Sequence, residues 1–242
     1  LGGLGQQPRR YSRPGHLEIL GGKPGLATVE AAVDGQSATA SFAVIPSASP
    51  ACAPGQFAKV LFQDDAEGDA SGFVADGSWA LSAGQTQSGQ TAWFAPALDQ
   101  ASVQALTLAQ PLVIPANATS AVWSFWHHID TAPAYDGGVV ELSVDGDAWT
   151  DVADRFVLGE YTNSLFLGDG NPLAFQSAFM AHFDGPNTGR IVLDLSDLAG
   201  HAVGLRFRLG TGSQPDDAVG WFLDDLTAYA CVPGGSILTS SI

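Results

Sequence analysis

Apolar residues in this chain come in short runs, and glycine or proline breaks those runs roughly every eight to twelve residues. The 29 Gly and 14 Pro of the 242 residues supply the breaks. A run this short, alternating apolar and polar, can bury one face only as a strand. Ala121-Val122-Trp123-Ser124-Phe125-Trp126 and Val203-Gly204-Leu205-Arg206-Phe207-Arg208 both alternate in this way. No long stretch places apolar residues at i, i+3, i+4 and i+7. The nearest, Leu98 to Leu108, reads as a loop leading into a strand. Ten strands are expected: Lys59–Gln63, Trp79–Ser82, Ala92–Ala95, Gln104–Leu108, Ser120–His128, Gly138–Val144, Thr150–Asp151, Arg190–Asp194, Ala202–Leu209 and Gly220–Ala230. Short strands joined by turns, without helices to cover a parallel sheet, predict an all-β fold, a jelly-roll β-sandwich. With 45% hydrophobic residues the chain can bury a sizeable core.

The sandwich is expected over residues 56–232, with a linker at 47–55 and a Gly/Ser-rich tail at 233–242. Residues 1–46 differ in composition. Arg9, Arg10 and Arg13 sit in a Pro/Gly-broken stretch. Then come two runs, Ala27 to Val33 and Ser37 to Val44, around Asp34-Gly35, a two-residue hairpin signal. This hairpin resembles the last two strands of a bacterial immunoglobulin-like repeat, which implies a short, partial or unusual Ig-like β segment at 1–46. The sequence opens on Leu1 and carries no signal peptide, membrane-spanning run or lipidation motif, so it is expected to be a piece of a longer protein.

Two cysteines, Cys52 and Cys231, bracket the β-rich region. A sandwich often sets its first and last strands side by side, so a disulfide between them is expected, and with it a secreted, extracellular setting. The charge is lopsided, 25 acidic against 9 basic residues and a formal net charge of −16. Such a surface repels nucleic-acid phosphates and anionic lipid, so neither nucleic-acid binding nor membrane insertion is expected. It attracts divalent cations instead.

Three segments carry a family resemblance: Phe125-Trp126-His127-His128-Ile129-Asp130-Thr131 continuing through Tyr135-Asp136-Gly137-Gly138-Val139-Val140-Glu141, then Leu205-Arg206-Phe207-Arg208-Leu209-Gly210, then Gly220-Trp221-Phe222-Leu223-Asp224-Asp225-Leu226. Together they resemble the jelly-roll accessory domain of secreted bacterial metallopeptidases related to immune inhibitor A, and more distantly MAM domains. The resemblance implies a non-catalytic accessory or adhesion module beside the catalytic domain of a parent protein. It would bind a protein or glycan surface ligand and hold a structural calcium ion. The residues it points to are the opening acidic segment and the closing Asp pair. Calcium takes carboxylate and carbonyl oxygens in tolerant geometry, and Asp64 to Asp69 holds four carboxylates. Strand alternation puts Asp224 and Asp225 on opposite faces, with Asp225 sharing the face of Trp221 and Leu223. The expected ligands are therefore Asp65, Glu67, Asp69 and Asp225, with Asp64, Asp136 and Asp224 as further candidates.

Catalytic signatures are missing from the sequence. His127 and His128 are adjacent in a strand and point to opposite faces, so they do not chelate one ion together. No His-Glu-x-x-His helix, nucleophile elbow, phosphate-binding loop or dinucleotide fingerprint is present, and no catalytic residue is assigned. Asp145-Gly146-Asp147 resembles the start of an EF-hand, but Phe156 stands at its twelfth position. Ser143, Asp145 and Trp149 instead resemble a structural Asp-box hairpin. Two alternatives stay open. A carbohydrate-binding module would stack sugars on Trp79 and Trp93, which sit in Gly/Ser/Gln-rich surroundings. A glycosidase-like enzyme would need two carboxylates facing each other across a cleft.

Overall fold

The computed structural model describes residues 25–33, 36–44, 52–68, 72–168, 170–213 and 217–234. The chain divides into two units, Leu1–Ala51 and Cys52–Ile242. In the first, β1 (Gly25–Val33) and β2 (Gln36–Val44) pair antiparallel, from Gly25 opposite Val44 to Val33 opposite Gln36. The expected hairpin strands are therefore present. The turn at Asp34-Gly35, the rest of the expected Ig-like segment, residues 45–51 and the tail beyond Gly234 lie outside the described residues.

The second unit is a β-sandwich. Its strands are β3 (Gln56–Asp64), β4 (Phe73–Asp76), β5 (Ala80–Ser82), β6 (Ala92–Pro96), β7 (Ser102–Leu108), β8 (Leu112–Val113), β9 (Ser120–Asp130), β10 (Gly137–Val144), β11 (Thr150–Asp151), β12 (Phe156–Leu158), β13 (Asn163–Ser164), β14 (Ser177–Ala178), β15 (Asn187–Asp194), β16 (Ala202–Thr211) and β17 (Gly220–Pro233). One sheet runs β11-β10-β16-β7-β4, with β8 also on β16. The other runs β12-β15-β9-β17-β6-β5, with β3 also on β17. Every pairing is antiparallel. All ten expected strands are present, and in Leu98–Leu108 a short loop over 98–101 leads into β7, as its pattern implied.

Alternation decides which side chains meet between the sheets. Trp123, Phe125 and Ile129 of β9 face Leu205, Phe207 and Leu209 of β16, and all are fully buried. Phe207 sits edge-on to Phe125 at 5.0 Å and to Trp221 at 5.8 Å, the geometry aromatic quadrupoles favour. The hairpin between β10 and β11 turns through Asp145 and Gly146, both at positive φ. Asp145 accepts the Ala202 N–H there and Ser143 donates to the Asp147 carbonyl, so this segment is structural, as expected. Cys52 and Cys231 are bonded, with Cα atoms 5.5 Å apart and a sequence separation of 179. By the loop-entropy estimate, closing so long a loop removes about 5 kcal/mol of unfolded-chain freedom.

Candidate functional site

Two places assemble polar groups: the acidic corner that the sequence singles out, and a cleft at one edge of the sandwich that it does not.

At the corner, β17 carries a bulge. Asp224 lies opposite Trp126 and Thr227 opposite Ser124, so Asp225 and Leu226 together face one residue of β9, and Asp225 takes φ +48°. The bulge breaks the alternation assumed from sequence. Asp224 is the fully buried carboxylate and Asp225 the half-buried one, and both reach Ser88. Asp224 accepts the N–H groups of Gln87, Ser88 and Asp225, while burial raises its carboxyl above the ordinary carboxylate value. From the other side, Glu67 accepts the N–H groups of Gln90 and Thr91, which lower its pKa. Gly89 leaves room for it, since a Cβ there would lie 2.3 Å from Glu67 Oε1. Asp64 accepts from Ala66 N–H and Trp93 Nε1–H, and Asp65 from Glu67 N–H. Of the predicted carboxylates, Glu67, Asp224 and Asp225 therefore converge on one loop, residues 87–91, the Asp pair at its start and Glu67 at its end. Among the described residues no three His, Cys, Asp or Glu side chains group as metal ligands. Asp69 lies outside the described residues. Asp136 belongs elsewhere, on the β9–β10 loop, where it accepts the Gly212 N–H.

The proposed aromatic platform is corrected. Trp79 and Trp93 are 4% and 3% exposed and form part of the core, Trp79 against Trp221 and Trp93 against Phe73. Their Gly/Ser-rich surroundings reflect tight turns beside the rings, not exposure of the rings themselves. His127 and His128 do point to opposite faces. His127 is buried against Phe179, and His128 pairs with the Thr188 hydroxyl at 2.7 Å.

The cleft arises because β12 is short. It pairs with β15 only at Leu193 and Val192, and at Gly159 the chain turns away. Among the described residues, the Asn187–Ile191 edge of β15 then has no neighbouring strand on that side, and a cavity of about 370 Å³ opens beside it. Its lining includes Glu160, Tyr161, Thr162, Asn187 and Arg190, together with the buried His127. Hydrogen bonds fix this lining. The Tyr161 hydroxyl donates to Asp151 at 2.9 Å and accepts the Val140 N–H at 3.0 Å. Asn187 Nδ2 donates to Thr162 Oγ1 at 3.0 Å, and Thr162 Oγ1 donates to the Met180 carbonyl at 3.1 Å. A second hollow of about 210 Å³ shares Thr162 and His182 with the first and is rimmed by Phe183. Phe183 sits on a tight turn closed by His182 and Gly185 and is 91% exposed. Tyr135, Phe166 and Phe175 are exposed nearby. Phe166 N–H donates to the Ala134 carbonyl, which borders the hollow, and the Tyr135 and Phe166 rings lie 6.5 Å apart. Ala134 and Phe175 both adopt positive φ, a strained conformation for residues with a side chain. Sequence reasoning passed over this region because residues 152–189 show no periodicity. The available signal was aromatics set singly among polar and glycine residues.

Glu160 is the one carboxylate lining the cleft among the described residues, so a two-carboxylate glycosidase mechanism has no second group there. No described helix is long and apolar enough to cross a membrane.

No known protein family matches the sequence, and no curated protein matches it. Several solved structures are similar. The xylan-binding domain CBM22-1 from Paenibacillus barcinonensis is 13% identical with a TM-score of 0.42, the match covering 71% of this chain and 94% of that domain. A family 35 carbohydrate-binding module from Clostridium thermocellum is 12% identical with a TM-score of 0.33, covering 71% of this chain and 98% of that one. Another xylan-binding domain from CBM 22 is 14% identical with a TM-score of 0.36, covering 74% and 97%. At these values function is not carried across, and it has to be read from the cleft itself.

Proposed function

We propose that this chain is a non-catalytic glycan-binding module of an extracellular protein, and that the edge cleft and its aromatic rim take the ligand. The observation that supports this is the pairing of a polar cleft with rings held in the open. A saccharide presents hydroxyls along its edge and apolar C–H groups on its face. Hydroxyls suit planar amide and carboxylate partners such as Asn187 and Glu160, and the C–H face suits an exposed ring such as Phe183. Exposing Phe183, Phe166 and Phe175 together carries a solvation cost that a ligand face explains. The disulfide suits an oxidising compartment. The peptidase neighbour stays an expectation of the family resemblance. Titration calorimetry against soluble neutral polysaccharides tests the reading. Phe183→Ala and Asn187→Ala are each expected to weaken binding about tenfold, equivalent to about 1.4 kcal/mol. Binding that neither substitution alters counts against the cleft.

A calcium ion at the acidic corner is a second element of the proposal. The corner offers oxygen donors only, which suits calcium. Asp65 and Glu67, both exposed, would be the carboxylates to hold it, since Asp225 is turned toward Ser88 and Arg190. Bound calcium would fix the 87–91 loop from outside, adding to the hydrogen bonds that already hold it. The melting temperature should fall by several degrees with EDTA and recover with added calcium. An unchanged melting curve removes the ion from the account.

A further inference from the structure

The edge cleft, about 370 Å³, and the hollow beside it, about 210 Å³, have Thr162 and His182 in common. These two residues differ in what they have left to offer. Thr162 Oγ1 is taken up, since it donates to the Met180 carbonyl and accepts from Asn187 Nδ2 and the Met180 N–H. The His182 imidazole is exposed and has no hydrogen-bond partner among the described residues. Its backbone is fixed instead. His182 N–H donates to the Gly185 carbonyl at 2.8 Å, and the His182 carbonyl accepts the Gly185 N–H at 3.2 Å. That closed turn holds a free imidazole where the two hollows meet and sets Phe183 on the smaller one.

Size decides how the hollows work. Ligand pockets run from roughly 300 to 1,000 Å³. The cleft falls at the low end of that range and its neighbour below it, so the smaller hollow extends the cleft and is not a site of its own. The edge of β15 supplies backbone contacts to the cleft. Asp194 N–H points toward β12, where it meets the Arg155 carbonyl, and β15 pairs with β9 without a break in register. Alternation turns the N–H and C=O groups of Arg190 and Thr188 the same way, and among the described residues neither has a backbone partner there. Donors and acceptors repeated along a line suit a chain of hydroxyls.

We infer that the two hollows form one track for a linear oligosaccharide, and that His182, at their junction, is the residue through which the site tells a long chain from a short one. This rests on the glycan-binding reading above and adds the length class of the ligand and the residue that reads it. A short chain is held by the cleft alone. A longer one runs on into the smaller hollow and crosses His182, whose ring nitrogens can pair with a sugar hydroxyl.

The test uses the whole chain and four series of oligosaccharides, derived from cellulose, xylan, laminarin and mannan, each from disaccharide to hexasaccharide. In at least one series affinity should rise about tenfold or more between the two ends. His182→Ala should shrink that ratio at least fivefold. A second measurement needs no substitution. Saturation with the disaccharide should shift the backbone amides of Glu160 and Gly189, in the cleft, whereas the hexasaccharide should also shift those of Ala134, Asn163 and Ala181, in the smaller hollow. A hexasaccharide that binds no tighter than the disaccharide, hexasaccharide shifts confined to one hollow, or an affinity ratio untouched by His182→Ala overturns the inference and leaves the glycan-binding reading standing. If no probe binds at all, both fall together.

Discussion

His127 shows how one buried side chain links stability to pH. Its imidazole stays neutral in the folded chain because burial, and after it the charge of His128, lowers its pKa to about 3. In the unfolded chain it titrates near 6.5. As pH falls through that range the unfolded state takes up the proton and the folded state does not, so stability is lost on acidification. The single group accounts for a loss of about 2 kcal/mol between pH 7.5 and pH 5. Urea unfolding of the disulfide-intact protein at the two pH values measures it. His127→Phe should remove about that much of the wild-type pH dependence, and an identical pH dependence in the variant would show that the residue is not held neutral. The opposite faces of His127 and His128 were legible from strand alternation alone. The burial of Trp79 and Trp93 was not, because local Gly and Ser content says nothing of what a ring meets across the sheet.

At the scale of elements, β17 organises the sheet. It pairs with β9 along one side, and with β6 and then β3 along the other, and the bulge at Asp225 falls between those two partners. Alternation read from sequence fails at that one residue. The bulge turns Asp225 out of the face shared by Trp221 and Leu223, toward Ser88 and Arg190, whose guanidinium lies 3.7 Å from it. Nothing in Leu223-Asp224-Asp225-Leu226 marks a bulge locally. It comes from fitting two partner strands to one long strand. The start of β17 is equally constrained. Gly220 has φ +133°, and a Cβ there would lie 2.1 Å from the Ala95 carbonyl oxygen. Gly220→Ala should destabilise the protein by about 3 kcal/mol or more, read by chemical denaturation, through backbone strain and displacement of β6. A cost under about 1 kcal/mol would mean that β6 and β17 separate here more easily than their register implies.

Across the whole molecule, what could be read from sequence was whatever depends on period and position. The strands follow from alternation, the sandwich from their number and spacing, and the disulfide from where Cys52 and Cys231 stand relative to them. The corner was expected as a meeting of Asp64–Asp69 with Asp225, but the loop that Glu67, Asp224 and Asp225 hold was not legible, because most of its bonds to them come from backbone N–H groups, which no side-chain pattern marks. The cleft was not legible. It depends on where β12 stops and on which edge of β15 is left without a neighbour, and neither is written in the local pattern. The central claim, that this edge binds saccharide, is tested most directly by mapping backbone amide shifts of the labelled protein during titration with a neutral hexasaccharide. The shifts should concentrate at residues 160–163 and 182–191, with smaller ones at 134–135 and 166. Saturating binding whose shifts fall instead on the outer face of β9 and β17, or nowhere near β15, would contradict it.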